Sequence, residues 1–309
     1  MAVALVNMLP EKAKTKNKAI YAHRNMKIAH LILAHKSPKQ LARLVDRLQH
    51  PDADIYIHID RKVDEEPFGG IFERPNVYLV KKRIKVYWGS YRIVQATLNG
   101  FKQILAAKKS YQYINLLSGD DYPIKSVQHI HQYFSDNPDR IFMEYLTEET
   151  EWWDKVKSRV TEYHLTDYTF PGSYTIQKLM NSFFPARKRP ESLVFAGRSQ
   201  WLTITEESAL YVINYLRNNP EVAKFFKLSW GSDEVAIQTV LYNSHLKVKI
   251  TNNNLRYIDW SADDVSPKTL NMDDAEKLMS SPALYARKFD MAKEPAILDY
   301  LDETIINKP

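Results

Sequence analysis

Short apolar runs alternate with amphipathic stretches through the first half of this chain. Lys27 to Ala34 (Lys-Ile-Ala-His-Leu-Ile-Leu-Ala) reads as a buried strand. Ser37-Pro38 follows as an expected helix cap with proline at the first helical position, and Leu41, Leu44, Val45 and Leu48 share one face of that helix. Asp54 to Asp60 predicts a second strand ending in an acid, and Val77 to Val80 a third. Ser90 is the expected cap of a long helix striped with Val94, Leu98, Phe101 and Leu105. Tyr113 to Leu117 predicts a fourth strand, Val127 to about Phe134 a helix, and Arg140 to Tyr145 a fifth strand. This βαβ alternation predicts an α/β fold with a Rossmann-like, mostly parallel central sheet flanked by helices.

From Trp152 to about Ser192 the pattern breaks down. The segment holds Trp152, Trp153, Tyr163, His164, Tyr168, Phe170-Pro171-Gly172 and the basic run Arg187-Lys188-Arg189. A long irregular stretch inside a compact domain is usually functional or disordered, and its aromatics argue against disorder. It is expected as a loop-and-helix insertion at about 150–195 over the active site. Regularity returns with Ser199 to Ile204 as a strand, Glu206 to about Asn218 as a helix and Leu255 to Trp260 as a strand. No repeat or linker divides the chain. The expected organisation is an N-terminal tail or appended helix over 1–25, a single domain over 26–303 and a C-terminal tail over 304–309.

Composition narrows the partners. The 309 residues are 44% hydrophobic, ample for a sizeable core. Cysteine is absent, so no disulfide or thiolate metal site forms, which fits a reducing compartment. A net charge of +6 and a pI near 9.1 favour anionic partners: nucleic acid, a nucleotide diphosphate or an acidic membrane surface. No G-x-G-x-x-G or P-loop motif follows the first strand, which argues against a dinucleotide enzyme or an NTPase. No apolar run approaches the ~20 residues of a membrane span. Met1 to Pro10 does not have the layout of a signal peptide. His58 and the pair His129 and His131 lack the H-E-x-x-H arrangement, which argues against a metal site.

Two segments carry chemistry. Ser118-Gly119-Asp120-Asp121-Tyr122-Pro123 closes the fourth strand, and ligands of open α/β sheets bind beyond the carboxyl ends of strands. Two carboxylates there suit a nucleotide, a sugar or a metal, although Asp and Gly are also common turn residues. Trp230-Gly231-Ser232-Asp233-Glu234 precedes a helix over Val235 to Leu241, with Ser232 as its expected N-cap. Acids in a first turn suit the helix dipole. A carboxylate fixed there beneath an aromatic-rich loop is also placed to act as a general base.

In order, these pieces resemble the core-2/I-branching N-acetylglucosaminyltransferases and their xylosyltransferase relatives, glycosyltransferase family 14. The matching stretches are Ile28 to His35, Ile57-His58-Ile59-Asp60, Trp88-Gly89-Ser90-Tyr91-Arg92, Asn115 to Ile124, Gly197-Arg198-Ser199-Gln200-Trp201, Ser232-Asp233-Glu234, Leu255 to Trp260 and Tyr285 to Asp290. Together they span roughly residues 26 to 303. Each is weak alone, and the ordered set is specific. The resemblance implies a GT-A-type fold and an inverting transfer from a UDP-sugar. Animal members carry a membrane anchor and many cysteines; this chain shows neither and looks like a bacterial, cytosolic relative, peripheral at most to the inner membrane face.

The resemblance also implies roles. Glu234 falls where the family has its catalytic base, and Lys288 where a lysine contacts the UDP diphosphate. Lys268 stands where the animal enzymes have a second basic residue, there an arginine. His58 and Asp60 fall near the nucleotide, Trp88 and Arg92 border the donor, and Asp121 is the family-matched acid, expected to hold the turn or the donor sugar. The family neutralises UDP with basic side chains rather than a metal, so no metal or other cofactor is expected, and Arg287 joins Lys268 and Lys288 as a source of that charge. On the acceptor side, Glu144 at a strand end is a candidate hydroxyl binder. Trp152, Trp153, Arg159, Trp201 and Asp233 could shape the groove, or serve only in packing. The expected partners are a UDP-sugar, with N-acetylglucosamine or xylose, and a glycan or lipid-linked saccharide. Arg187-Lys188-Arg189 is a candidate contact with anionic lipid. Two rival readings are a catalytically silent UDP-sugar-binding relative and a basic nucleic-acid-binding protein, the latter without any basic stripe or RNA-binding motif in its favour.

Overall fold

The computed structural model describes residues 26–190, 193–261 and 266–306. The tail expected over 1–25 and residues 307–309 of the one expected at the other end lie outside them.

Strands β1 (Ile28–Ala34) and β2 (Ala53–Ile59) are buried almost throughout, because a parallel sheet covered on both faces leaves no position for water-facing residues. Helix α1 (Pro38–Leu48) joins them. Successive β1 side chains go to opposite faces: Leu31 packs in a core with Val94 and Phe101, and Ile32 in a second core with Leu44 and Leu117. The apolar stripe of α1 therefore covers one face, and that of α2 (Tyr91–Ala106) the other. Between them runs β3 (Val77–Leu79), and β4 (Tyr113–Ser118) follows α2. Next come β5 (Asp121–Pro123), α3 (Val127–Asp136) and β6 (Ile141–Thr147).

The stretch that defied periodicity folds into α4 (Trp152–Val156), α5 (Ser158–Thr161) and α6 (Ser173–Phe183). Then follow β7 (Ala196–Ile204), α7 (Glu206–Asn218), α8 (Pro220–Lys227), a 3-10 turn at Ser232–Glu234, and α9 (Ala236–Tyr242). The chain closes with β8 (Ile250–Asn252), β9 (Arg256–Ile258), α10 (Ala275–Ser280), β10 (Tyr285–Arg287) and α11 (Pro295–Ile306). The last helix continues past residue 303, where a tail was expected.

The main sheet has the order β3-β2-β1-β4-β7-β6-β8, and β7 runs antiparallel to both its neighbours while the other pairs are parallel. A smaller sheet, β5-β10-β9, sits at the end of β4. Of its strands only β9 falls where the sequence predicted one; β5 and β10 are too short for a periodic signal, and their pairing was not revealed. The reversal of β7 brings its first residues to the edge where β1, β2, β4 and β6 end. That edge is the ligand-binding edge of an open α/β sheet.

Three expected caps do not form. Ser37 adopts a left-handed conformation, φ 53°, and accepts no cap bond. Ser90 donates its hydroxyl to Tyr87 O at 2.7 Å instead of accepting from the helix. Ser232 is buried and donates to Phe226 O at 2.6 Å and Ser229 O at 3.0 Å, with a 3-10 turn rather than an α-helix after it. A hydroxyl surrounded by carbonyls serves as a donor there, so the helix start moves on to Ala236.

Candidate active site

The turn after β4 is the centre of one half of the site. Its two acids diverge, as side chains of adjacent residues do here. Asp121 is fully buried; its Oδ2 accepts from Ser118 N at 2.9 Å, and its Oδ1 lies 3.5 Å from Arg287 Nε without a hydrogen-bond partner. Burial pushes its carboxyl up, against the pull of the Arg287 charge. Asp120 Oδ2 instead meets Lys36 at 3.2 Å and Lys288 at 3.9 Å. The small sheet makes these encounters, because β10 pairs Arg287 directly with Asp121. The Arg287 guanidinium also lies 4.1 Å from the ring centre of Trp201. Trp201 is itself buried, so it forms a floor under Arg287 rather than an open groove wall.

His58 and Asp60 act on the loop that carries the Trp88 stretch. His58 Nε2 accepts from Ile84 N at 3.2 Å, and Asp60 Oδ1 accepts from Lys62 N at 2.9 Å and Val86 N at 3.3 Å. Burial drives the His58 imidazole down to about 4, which keeps it a neutral acceptor. Arg83 clamps the same loop through Ile59 O and Val63 O, each at 2.9 Å. Arg92 binds Asp167 through its backbone N–H and its Nε, both at 3.3 Å, and so ties α2 to the segment before α6. Lys268 is held by both carboxylate oxygens of Asp274, at 2.8 and 2.9 Å.

Glu234 is the centre of the other half. Its Oε2 accepts from Arg159 Nη1 at 2.8 Å, and the Arg159 guanidinium packs 4.4 Å from the centre of the Trp230 ring. Trp230 meets the exposed Trp88 edge-on at 5.1 Å. Backbone bonds weld the pieces together: Gly231 N donates to Gly89 O at 2.7 Å and Trp230 N to Arg159 O at 2.9 Å. Gly89 and Gly231 have φ of 68° and 67°, and a Cβ on Gly89 would fall 2.7 Å from Trp230 Nε1. Burial raises the Glu234 carboxyl, while Arg159 and then Arg287 hold it down. Strand β7 links the two halves: Gly197 lies against the Glu234 carbonyl and Trp201 under Arg287. Asp233 points its Oδ1 into the interior without a partner, and burial followed by the Glu234 charge pushes its carboxyl up.

Glu144 sits at a bulge within β6, not at the strand end, and pairs with Arg198 at 2.6 Å while accepting from Asn254 at 2.9 Å. Arg198 is next to Gly197, whose missing side chain admits the Glu234 carbonyl. Trp152 is half-buried, 6.4 Å from Trp153, and Trp153 stacks on Phe195 at 5.5 Å, so this pair packs the segment. Arg187 does not face solvent as a lipid contact would. Its guanidinium donates to Leu228 O at 2.7 Å, Ser229 Oγ at 3.0 Å and Phe225 O, and it stacks on Phe225 at 4.1 Å. A buried guanidinium needs several acceptors, and these loop carbonyls supply them.

Two supporting residues escaped the sequence reading. Gln40 is buried on α1; its Nε2 donates to Gly119 O at 2.9 Å and Phe289 O at 3.1 Å, and its Oε1 accepts from Met291 N at 2.7 Å. It ties the Asp120 turn to the Lys288 strand end. Arg256 is buried in the sheet, with Nη2 on Leu116 O at 2.8 Å and Nη1 on Thr203 Oγ1 at 3.3 Å, and it also bonds Asn115. A polar residue on an apolar helix face was the available signal for Gln40. For Arg256 the signal was a basic residue inside an expected strand, which suggested a phosphate clamp or a solvated surface rather than this buried tie.

The seven-stranded, mostly parallel sheet flanked by helices, with acids, a paired glutamate and basic side chains along its ligand edge, has the architecture of a GT-A-type fold. A family model described as Core-2/I-Branching enzyme matches residues 28–280, and the chain belongs to that family of glycosyltransferases. The xylosyltransferase of Ciona intestinalis is 23% identical over 301 residues, 90% of this chain and 34% of its own length. Xylosyltransferase oxt of Drosophila pseudoobscura pseudoobscura is 24% identical over 310 residues, with 91% and 33% covered. Human (Homo sapiens) xylosyltransferase 2 is 24% identical over 301 residues, with 90% and 33% covered. The chain thus spans about a third of the length of the curated relatives it matches. Among the described residues, no helix is long and apolar enough to cross a membrane, and no group of three or more His, Asp or Glu could hold a metal ion.

Proposed function

We propose that the chain is an inverting glycosyltransferase that moves a sugar from a UDP-sugar to a hydroxyl of a glycan or lipid-linked saccharide, forming a β-linkage. One observation carries the reading: Glu234, steadied by Arg159, packs its carbonyl against Gly197 at the start of β7, and Trp201 of the same strand lies beneath Arg287, next in the chain to Lys288. In the reaction, the acceptor oxygen attacks the anomeric carbon as the bond to the UDP oxygen breaks. Glu234 takes the acceptor proton. Arg287 and Lys288 neutralise the departing diphosphate, with Lys268 able to join them by leaving Asp274. No general acid is needed for a leaving group of this kind. Asp121, buried with Oδ2 on Ser118 N and Oδ1 beside Arg287 Nε, holds the turn and positions the guanidinium that meets the diphosphate. The name xylosyltransferase on the relatives favours UDP-xylose, alongside UDP-N-acetylglucosamine.

The test is a panel of UDP-sugars assayed by UDP release, with and without EDTA. One donor should support release in both conditions; loss in EDTA would overturn the metal-free mechanism. Glu234→Gln should abolish transfer yet keep UDP affinity, and full activity in that variant would overturn the base assignment.

A further inference from the structure

Helix α6 is inside out. A surface helix ordinarily packs its apolar stripe against the protein and gives its polar face to water. Here Gln177 and Asn181, one turn apart, face the protein. Gln177 Oε1 accepts from Leu165 N at 2.8 Å, and Asn181 accepts from Tyr163 N at 2.7 Å and donates to Tyr163 O at 3.0 Å. No residue of the helix is buried. Ile176, Leu179 and Phe183, at spacing i, i+3, i+7, are 44%, 51% and 80% exposed, and Phe184 and Tyr174 extend the patch. From Tyr168 to Pro190 the sequence contains no Asp or Glu; Lys178 is exposed with its ammonium 4.7 Å from the Tyr174 ring, and Lys188, five residues past the helix, is exposed too.

We infer that α6 is an interfacial anchor that seats on an anionic lipid surface. Its apolar row enters the boundary between headgroups and acyl chains, while Lys178 and Lys188 meet the lipid phosphates. Charge selects this occupant over a second copy of the chain, since two acid-free, lysine-bearing patches repel each other. The anchor replaces Arg187, which the fold consumes internally, as the means of lipid contact. Tyr87 and Arg92 touch Thr169 and Asp167 just before α6, so seating the helix also brings the Trp88 stretch toward the lipid. That last consequence rests on the proposed function; the anchoring does not.

The experiment is co-sedimentation of the whole chain, without donor, with phosphatidylcholine vesicles and with vesicles holding about 30 mol % phosphatidylglycerol. Binding is expected to the anionic vesicles only, and to fall with salt. The double variant Leu179→Ser/Phe183→Ser should weaken it about tenfold or more, with melting temperature and UDP affinity unchanged, because both side chains already face water. Absence of binding to anionic vesicles, equal binding by the double variant, or a dimer in light scattering that the variant dissolves would each overturn the inference.

Discussion

Glu234 is held in place largely by what its neighbours lack. A Cβ on Gly197 would overlap the Glu234 carbonyl oxygen and stand 3.0 Å from Val235 Cα, both rigid backbone. Gly197→Ala should therefore shift the Ser232–Glu234 turn and cost about 1–3 kcal/mol of stability. Thermal melting would show a modest loss, with transfer rate falling much further; an unchanged rate would detach the turn from catalysis. Arg159 tunes the same carboxylate. Burial raises Glu234 above its ordinary 4.5 and Arg159 opposes that rise. The base proposed here works ionised, so activity should be lost as pH falls through the raised value. Arg159→Met removes the opposing charge, raises the value further, and should move the acid limb of the kcat/KM profile to higher pH. An unmoved limb would mean that Arg159 does not set the ionisation of the reacting group.

Between elements, the decisive contacts are polar bonds across long stretches of chain. Gln40 joins α1 to the turn after β4 and to the chain after β10. Gln40→Ala strands the buried Phe289 carbonyl, the half-buried Gly119 carbonyl and the Met291 N–H, at a cost of about 1–3 kcal/mol. Its clearest sign should be weaker UDP binding by calorimetry, with the Glu234-dependent step unaffected once the donor is saturating. The parallel strands and the covering helices α1 and α2 were legible from periodicity, since burial on both faces leaves continuous apolar runs. The small sheet and the antiparallel course of β7 were not. Both depend on which distant strand is adjacent, and the three-residue strands β5 and β10 carry no period of their own. The caps failed for a similar reason: Ser90 and Ser232 fit the local rule, but tertiary carbonyls offered their hydroxyls better partners.

At the scale of the molecule, buried histidines make the fold sensitive to acid. Burial lowers His30 to about 3, and His58 and His131 to about 4, from an ordinary 6.5. They are neutral in the fold, and the unfolded chain binds their protons first. Their stabilisation is complete above about pH 6.5 and declines as pH falls. At about pH 5 each costs about 2 kcal/mol, so three remove about 6 kcal/mol from the 5–15 kcal/mol typical of a domain. Urea midpoints should drop sharply between neutral pH and about pH 5; constant midpoints would show that these rings are hydrated. His50 stacks on His131 at 3.7 Å, and its own value is also lowered, mainly by burial.

The sequence by itself determined the central strands, the helices that cover them, the turn that carries Asp120 and Asp121, and the ordered motifs that led to the family. These are local patterns, and a strand or a turn is specified by the residues within it. Only the tertiary structure decided which charges meet. It set Asp121 against Arg287, Lys268 against Asp274, Arg159 against Glu234, and Arg187 into the interior rather than toward solvent. It also turned the apolar side of α6 outward. Asp121 and Arg287, and Arg159 and Glu234, are more than fifty residues apart, and Arg187 bonds backbone groups left open by the fold, so none of these pairings is encoded in any one stretch of sequence.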